Sequence, residues 1–158
     1  SKVEVYQNMT GTTPAAWNDP AKGSELAKSQ FDRGADVVYA AAGGTGAGVY
    51  QAAADSGKLA IGVDSNQNYM HPGTMLTSML KRVDLATYET FMDVKSGNFT
   101  SGVKVLGLAE DGVGWAFDEY NKPLITDVMK STINGLSDKV KSGSIKVHDN
   151  MSDNNCPS

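Results

Sequence analysis

Cysteine, histidine and long apolar runs are scarce in this sequence. The single cysteine, Cys156, lies near the carboxyl terminus, so an internal disulfide, a CxxC redox pair and a cysteine-based zinc cluster are excluded. No stretch approaches the roughly 18 consecutive apolar residues of a membrane-spanning helix. The two histidines, His71 and His148, are far apart and lie in no recognisable metal or nucleophile motif. We therefore predict no bound metal and no cofactor.

Positive charge is also in short supply. Lys and Arg number 14 and Asp and Glu number 18, which gives a formal net charge of −4. This sign argues against a general binder of nucleic acid or anionic membranes, and it favours a small soluble ligand. The stretch "SKVEVYQNM" lacks the long apolar core of a signal peptide. Because such a signal can be removed during maturation, the composition leaves the location of the protein open.

Catalytic constellations are equally sparse. Ser78 has no evident His and Asp partners in the sequence. The carboxylates of Glu110, Asp111, Asp118 and Glu119 surround a glycine-containing turn, a pattern more typical of a solvated loop than of an acid/base pair. We predict no catalytic residues, which disfavours an enzyme.

Apolar segments with strand character alternate with helical segments along the chain, whose length of 158 residues suits one domain. Asp19 as N-cap, Pro20 at the first helical position and Gly34 as a stop predict the first helix. Gly57 is expected to end the second helix in a left-handed conformation. The alternation predicts an α/β fold, an open parallel sheet with flanking helices. The predicted strands are 3–6, "ADVVYAA", "KLAIGVD", "TMLTSML" and "VKVLGLA", and the helices are "NDPAKGSELAKSQFDRG", "VYQAAADSG", "KRVDLATYETFMDVKSG" and a segment from Pro123 onward.

A glycine-rich loop, 43–48, follows the strand "ADVVYAA". In an open parallel sheet, ligands bind beyond the carboxyl ends of the strands, where this loop is expected. Its glycines suit a hydrogen-bonding cradle for a ligand, and they equally suit a tight, closely packed strand-to-helix turn. The spacing of Gly44 and Gly46 fails the last position of G-x-G-x-x-G, and no Gly-Lys-Ser/Thr follows for a P-loop. Cradle and packing turn are both open from the pattern.

Three further residues are expected at this edge of the sheet. Asp64 follows the glycines by about twenty residues, where an acidic residue holds ribose hydroxyls in dinucleotide sites, although a turn cap is the alternative. Lys81 ends an alternating strand, and its pattern alone favours a surface lysine beside Arg82. Trp17 precedes the first helix, where it offers a flat face for a planar ring or plugs the edge of the core.

Four motifs in order, "WNDPAKG", "GADVVYAAAGGTGAGVYQAA", "AIGVDSNQ" and "TSMLKRVD", resemble the carboxyl-terminal part of solute-binding proteins of the basic membrane protein family. That family includes purine nucleoside receptor lipoproteins of ABC importers, with a two-lobed type I periplasmic-binding fold. The resemblance implies that residues 1–147 are the second lobe with its crossover helices and that 148–158 are a polar tail. It also implies a partner for the apolar faces of the last two helices, either the absent amino-terminal lobe or a second copy of the chain.

The resemblance implies roles for individual residues. Trp17 would stack on the nucleobase, Asp64 would bind the ribose hydroxyls and Lys81 would assist at the ribose. Backbone groups of three loop residues would line the sugar pocket: Gly43, Gly44 and Thr45. The implied protein binds nucleosides, with purine nucleosides favoured by the resemblance, for an ABC permease; it lies outside the cytoplasm, membrane-anchored at full length, and contacts no nucleic acid. The alternatives are a dinucleotide-binding Rossmann-like enzyme module and the effector-binding lobe of a regulator.

Overall fold

The computed structural model describes residues 3–149 as a four-stranded sheet with helices. Three short 3-10 turns occur: Pro14–Trp17 before the first helix, Gly43–Thr45 after the first strand and Asn68–Met70 between the second and third strands. The predicted alternation of strands and helices is confirmed from the first helix to the third. The elements are α1 (Pro20–Asp32), β1 (Val37–Tyr39), α2 (Gly46–Asp55), β2 (Leu59–Gly62), β3 (Met75–Lys81), α3 (Val83–Ser96), β4 (Val113–Trp115) and α4 (Asp127–Lys141).

The strands lie in the order β1-β2-β3-β4, and the first three are parallel. This arrangement confirms the predicted α/β class with an open sheet. The fourth strand is antiparallel to β3, with Trp115 opposite Met79, in a segment whose sequence pattern predicts a loop. The sheet is therefore parallel through β1, β2 and β3 and antiparallel where β4 pairs with β3.

The start of α1 and the ends of α1 and α2 have the predicted capping and terminating residues. The Asp19 carboxylate accepts from the N–H of Lys22 at 2.9 Å, and Pro20 is the first helical residue. Beyond the end of α1, Gly34 has a φ of +100°, and beyond the end of α2, Gly57 has a φ of +61°. Both glycines adopt left-handed backbone conformations, in which a side chain would be strained.

The predicted strand at 3–6 is wrong. Residues 3–11 form no strand, and Val3 and Val5 are 84% and 69% exposed. Side chains tie this segment to the end of α1: the Tyr6 hydroxyl donates to the Arg33 carbonyl at 3.2 Å, and the Arg33 guanidinium lies 4.0 Å from the centre of the Tyr6 ring. A strand persists only where its backbone groups are paired, and among the described residues β1, at the sheet edge, pairs with β2 alone.

The predicted strand "VKVLGLA" is also wrong. Val103 and Val105 are 95% and 83% exposed, and the chain instead turns back before it enters the sheet. The N–H of Gly112 donates to the carbonyl of Gly107 at 2.9 Å and closes this turn. The residues after the turn, not those before it, then form β4 on the free edge of β3.

The core lies between the sheet, α1 and α2, whereas α3 and α4 bury no residue completely. On α3, Tyr88 and Phe91 are 63% and 71% exposed. Between residues 3 and 149, no helix has the length and apolar character needed to cross a membrane. The core cluster is formed by Ala27, Phe31, Val38, Ala40, Val49, Tyr50, Ala52, Ala53, Ala60 and Met75.

Candidate functional site

Adjacent parallel strands bring three segments together at the carboxyl ends of the strands, which we call the carboxyl edge of the sheet. Tyr39 of β1 lies beside Ile61 of β2, and Gly62 lies beside Ser78 of β3. The glycine loop after β1, the loop after β2 and the end of β3 therefore leave the sheet on the same side. This is the edge at which open α/β sheets bind ligands.

Asp64 and Lys81 are in direct contact at this edge. The Lys81 ammonium nitrogen lies 2.8 Å from Asp64 Oδ1, and the Lys81 N–H donates to the Asp64 carbonyl at 2.9 Å. Asp64 has a φ of +68°, a left-handed conformation that Asp tolerates better than most residues. Because the side chains of Lys81 and Asp64 are 58% and 50% exposed, a ligand has access to both.

A cleft of about 500 Å³ adjoins this ion pair. Its lining includes Asp64 and Lys81 but neither Trp17 nor the glycine loop. Within the part of the chain that the structure describes, no three His, Cys, Asp or Glu side chains are grouped to hold a metal ion. The residues lining the cleft are Asp64, Ser65, Asn66, Leu80, Lys81, Arg82, Val83 and Asp84.

Trp17 lies against the first glycines of the loop and is 60% exposed. A Cβ placed on Gly43 would lie 3.4 Å from Trp17 Cε3 and 3.2 Å from the Trp17 carbonyl oxygen. A Cβ on Gly44 would lie 3.2 Å from Asn18 Oδ1. The absence of side chains at these two positions thus lets the loop backbone approach the tryptophan, whose exposed face is available to a planar ring.

The Thr45 side chain is buried and hydrogen-bonded within the protein. It is fully buried, and its hydroxyl accepts from the N–H of Asp19 at 2.7 Å and donates to the carbonyl of Ala16 at 2.7 Å. These bonds fasten the turn that carries Trp17 to the start of α2. Because the whole residue, backbone included, is buried, the structure shows no accessible group of Thr45 for the sugar-lining role that the resemblance implies.

The last two glycines of the loop serve packing. A Cβ on Gly48 would overlap the carbonyl group of Pro20, and one on Gly46 would lie 2.9 Å from the Tyr50 hydroxyl oxygen. Across the same contact, a Cβ on Gly23 of α1 would overlap the carbonyl oxygen of Thr45. The two interpretations of the glycine loop therefore apply to different glycines. Gly48 allows α2 to pack onto α1, whereas Gly43 and Gly44 border Trp17.

A buried polar network that the sequence pattern does not reveal holds the loop after β2. The Gln67 side-chain oxygen accepts from the N–H of Val63 at 3.0 Å and from the Tyr50 hydroxyl at 2.9 Å. The Ser78 hydroxyl accepts from the N–H of Gln67 at 3.0 Å and donates to Asn68 Oδ1 at 2.8 Å. Burial raises the pKa of Tyr50 to about 12, which keeps its hydroxyl protonated as a donor.

Asp118 connects this loop to the segment after β4. Its carboxylate accepts from Asn66 Nδ2 at 2.6 Å, from Asn68 Nδ2 at 3.1 Å and from the N–H of Tyr120 at 2.9 Å. Burial raises the pKa of Asp118, but these hydrogen bonds outweigh it and hold the pKa below its ordinary value. Asp118 therefore lies in a partly exposed loop, and its carboxylate is bound there by amide donors. The polar run "SNQN" after Asp64 is typical of a loop and does not indicate these partners.

We expect Asp118→Ala to lower the free energy of unfolding by about 2 kcal/mol at pH 7, because it removes an ionised acceptor shared by several N–H donors. Since the folded-state pKa is lowered, this stabilisation is complete above the ordinary pKa of 3.8 and is lost as the pH falls through the folded-state value. Urea unfolding at pH 7, 4 and 3 measures the difference. As a control, Glu119→Ala removes an exposed neighbouring carboxylate and should change stability by less than about 0.5 kcal/mol. Equal effects of the two variants would contradict the role of Asp118.

Comparison with known proteins shows similarity to substrate-binding proteins of ABC transporters. A family model described as "ABC transporter substrate-binding protein PnrA-like" matches residues 1–151. Basic membrane protein D of Borreliella burgdorferi is 31% identical over 151 residues, which are 93% of this chain and 43% of that protein. A CD4+ T-cell-stimulating antigen of Listeria monocytogenes is 34% identical over 143 residues, which are 80% of this chain and 39% of that protein. An uncharacterized lipoprotein of Pyrococcus horikoshii is 36% identical over 123 residues, with 73% and 29% covered.

Solved structures agree on the fold. The crystal structure of an ABC transporter solute-binding protein from Aeropyrum pernix has a TM-score of 0.72 at 27% identity and covers 84% of this chain and 45% of that one. A structure described as a transcriptional activator of the comK gene from Bacillus halodurans has a TM-score of 0.75 at 24% identity, with 85% and 46% covered, and shows likeness of fold alone. The chain spans less than half the length of each of these relatives and structures.

Proposed function

The chain belongs to the Bmp family of PnrA-like ABC transporter substrate-binding proteins, and on this premise we propose that it is the carboxyl-terminal lobe of a nucleoside receptor. The family binds solutes rather than catalysing a reaction. The ligand we propose is a nucleoside, a purine nucleoside by family resemblance. The observation that carries this proposal is the contact between Asp64 and Lys81 at the sheet edge from which the glycine loop beside Trp17 also leaves.

The chemistry of these side chains suits a ribose and a base. The Asp64 carboxylate can accept from two vicinal hydroxyls, and each such charged hydrogen bond contributes roughly 1.5–3 kcal/mol. The ammonium group of Lys81, 2.8 Å from that carboxylate, can donate to a sugar oxygen in the same place. The exposed face of Trp17 can stack on a base, which contributes about 1–3 kcal/mol.

We propose that a second lobe closes this cleft. Neither α3 nor α4 buries a residue completely, and α3 exposes Tyr88, Phe91 and Val94. Exposed apolar patches of this kind mark surfaces that meet another unit. The amino-terminal lobe of a two-lobed receptor is the partner we propose, with a second copy of the chain as the alternative. In this arrangement the ligand lies between the lobes, and closure presents the complex to the permease.

The location we propose follows from the relatives. Similar proteins of Pyrococcus carry the name lipoprotein, and the family serves ABC transporters. We therefore propose that the full-length protein lies outside the cytoplasm, anchored to the membrane, and that its membrane partner is an ABC permease. Nucleic acid is not among the proposed partners, since the net charge is −4.

Calorimetric titration of the two-lobed protein with adenosine, guanosine, inosine, uridine and 2′-deoxyadenosine tests this function. We expect binding of ribonucleosides and weaker binding of 2′-deoxyadenosine, because Asp64 then loses a hydroxyl partner. Trp17→Ala should weaken binding by about tenfold or more through lost stacking, and Trp17→Phe should restore most of it. Absence of binding to every nucleoside would refute the proposal.

As an isolated lobe, the chain should bind nucleosides only weakly because half of the contacts and the closure are missing.

Two alternatives differ in kind from a receptor. A dinucleotide-dependent enzyme module would bind added nicotinamide cofactor, which absorbance or fluorescence detects directly. An effector-binding lobe of a regulator would require a fused DNA-binding segment, and the likeness to the Bacillus halodurans activator supports only the shared fold.

A further inference from the structure

The cleft beside Asp64 contains two ion pairs. Besides the Lys81–Asp64 pair, the Arg82 guanidinium binds the Asp84 carboxylate with two nitrogens: Nε lies 3.0 Å from Oδ1 and Nη2 lies 3.0 Å from Oδ2. All four side chains line the same cleft of about 500 Å³. Two cations and two carboxylates thus balance, and each cation already has a carboxylate partner.

A charge-balanced cleft discriminates between ligands by charge. An uncharged ribose can hydrogen-bond to Asp64 and Lys81 without changing the balance. Among the described residues that line the cleft, a phosphate dianion would find no unpaired cation, and it would lie near two carboxylates. We propose that the Arg82–Asp84 pair is a specificity determinant that makes this cleft accept uncharged nucleosides and reject nucleoside phosphates. This inference rests on the proposed nucleoside-binding function.

The geometry of the pair keeps the Arg82 guanidinium bound to the Asp84 carboxylate. Asp84 is in the first turn of α3, two residues beyond Arg82, and the Arg82 N–H is held by the Gly112 carbonyl at 2.8 Å. A two-nitrogen contact to a carboxylate is among the stronger arrangements of a charged hydrogen bond. The hydrogen bond with Arg82 lowers the pKa of Asp84, which keeps the carboxylate ionised. With side chains 41% and 69% exposed, the pair acts through local charge and contributes little to stability.

Removing the Asp84 charge should change the preference of the two-lobed protein. The experiment measures affinities for adenosine and adenosine 5′-monophosphate, and for guanosine and its 5′-monophosphate, in wild type and in Asp84→Asn. We expect the wild type to bind each monophosphate at least tenfold more weakly than its nucleoside. In Asp84→Asn, which frees Arg82, the ratio should shift toward the monophosphate by about tenfold at low salt. The shift should shrink in 0.5 M NaCl, because salt screens partly exposed charges.

A matched control lies on the same helix. Asp93→Asn removes an equal charge from a carboxylate that lies 3.5 Å from Lys104, outside the cleft, and should leave the affinity ratio unchanged. Asp84→Ser, which keeps a polar oxygen at the first turn of α3, repeats the test if Asp84→Asn folds poorly. Equal wild-type affinities for nucleoside and monophosphate, or an unshifted ratio in both Asp84 variants, would overturn this inference alone. Failure of the wild type to bind any nucleoside would overturn the proposed function and this inference with it.

Discussion

Asp64→Asn should weaken nucleoside binding to the two-lobed protein by about 100-fold or more, which corresponds to about 3 kcal/mol. In the proposed site, the Asp64 carboxylate accepts from two neighbouring ribose hydroxyls at once, and it is the carboxylate that lies 2.8 Å from Lys81. An amide accepts more weakly and also loses the pairing with Lys81, whose nitrogen lies 2.8 Å away. Asparagine keeps the size of the side chain and tolerates the φ of +68°, so the backbone at this position is preserved. Calorimetric titration with the tightest nucleoside measures the loss.

The chain contains a matched control for this substitution. Asp36 and Lys58 form a similar exposed pair, 3.3 Å apart, just before β1 and β2 and hence at the opposite edge of the sheet. Asp36→Asn should therefore leave nucleoside affinity within about twofold of wild type. Asp64→Ala should lose as much affinity as Asp64→Asn and, in addition, some stability, because alanine is strained at positive φ. An unchanged affinity in Asp64→Asn would refute the assignment of this carboxylate to the ribose.

Much of the fold is predictable because its signals are local. The cap at Asp19, the proline after it and the glycines at 34 and 57 specify helix ends through the backbone conformations of single residues. Strands are different, since their hydrogen bonds come from another part of the chain. The valines at 3–6 have strand propensity but no paired neighbour among the described residues. The residues of β4 become a strand because the chain, after α3, returns to the free edge of β3.

The candidate site divides in the same way. Strand order and the ends of strands predict which segments meet at the carboxyl edge, and the contact between Asp64 and Lys81 agrees with that expectation. The polar network around Gln67, Asn68 and Asp118 could not be predicted, because its partners lie as much as 52 residues apart and each is an ordinary loop residue by pattern. The roles of the glycines at 43–48 could not be told apart from the sequence either, because a ligand cradle and a close helix contact both require a residue without a side chain.

The distinction between these glycine roles predicts a large effect on stability at Gly48. In Gly48→Ala, the new Cβ overlaps the carbonyl group of Pro20, which is backbone in the first turn of α1 and cannot rotate away. We expect the free energy of unfolding to fall by about 3 kcal/mol, the upper part of the usual range for an overpacked core. The midpoint of urea unfolding of the chain measures this change.

Gly135→Ala is the control for Gly48→Ala, because Gly135 lies inside α4 without a positive φ, and a Cβ added there would meet no described atom within 4 Å outside its own helix. Alanine is the better helix former, so stability there should rise by about 0.5–1 kcal/mol. Equal stabilities of the two variants would contradict the packing role.

Since the N–H of Asp19 donates to Thr45 Oγ1 at 2.7 Å, a displaced Pro20 also pulls on the turn that carries Trp17. Gly48→Ala should therefore weaken nucleoside binding even where the two-lobed protein is still folded, although Gly48 does not line the cleft beside Asp64.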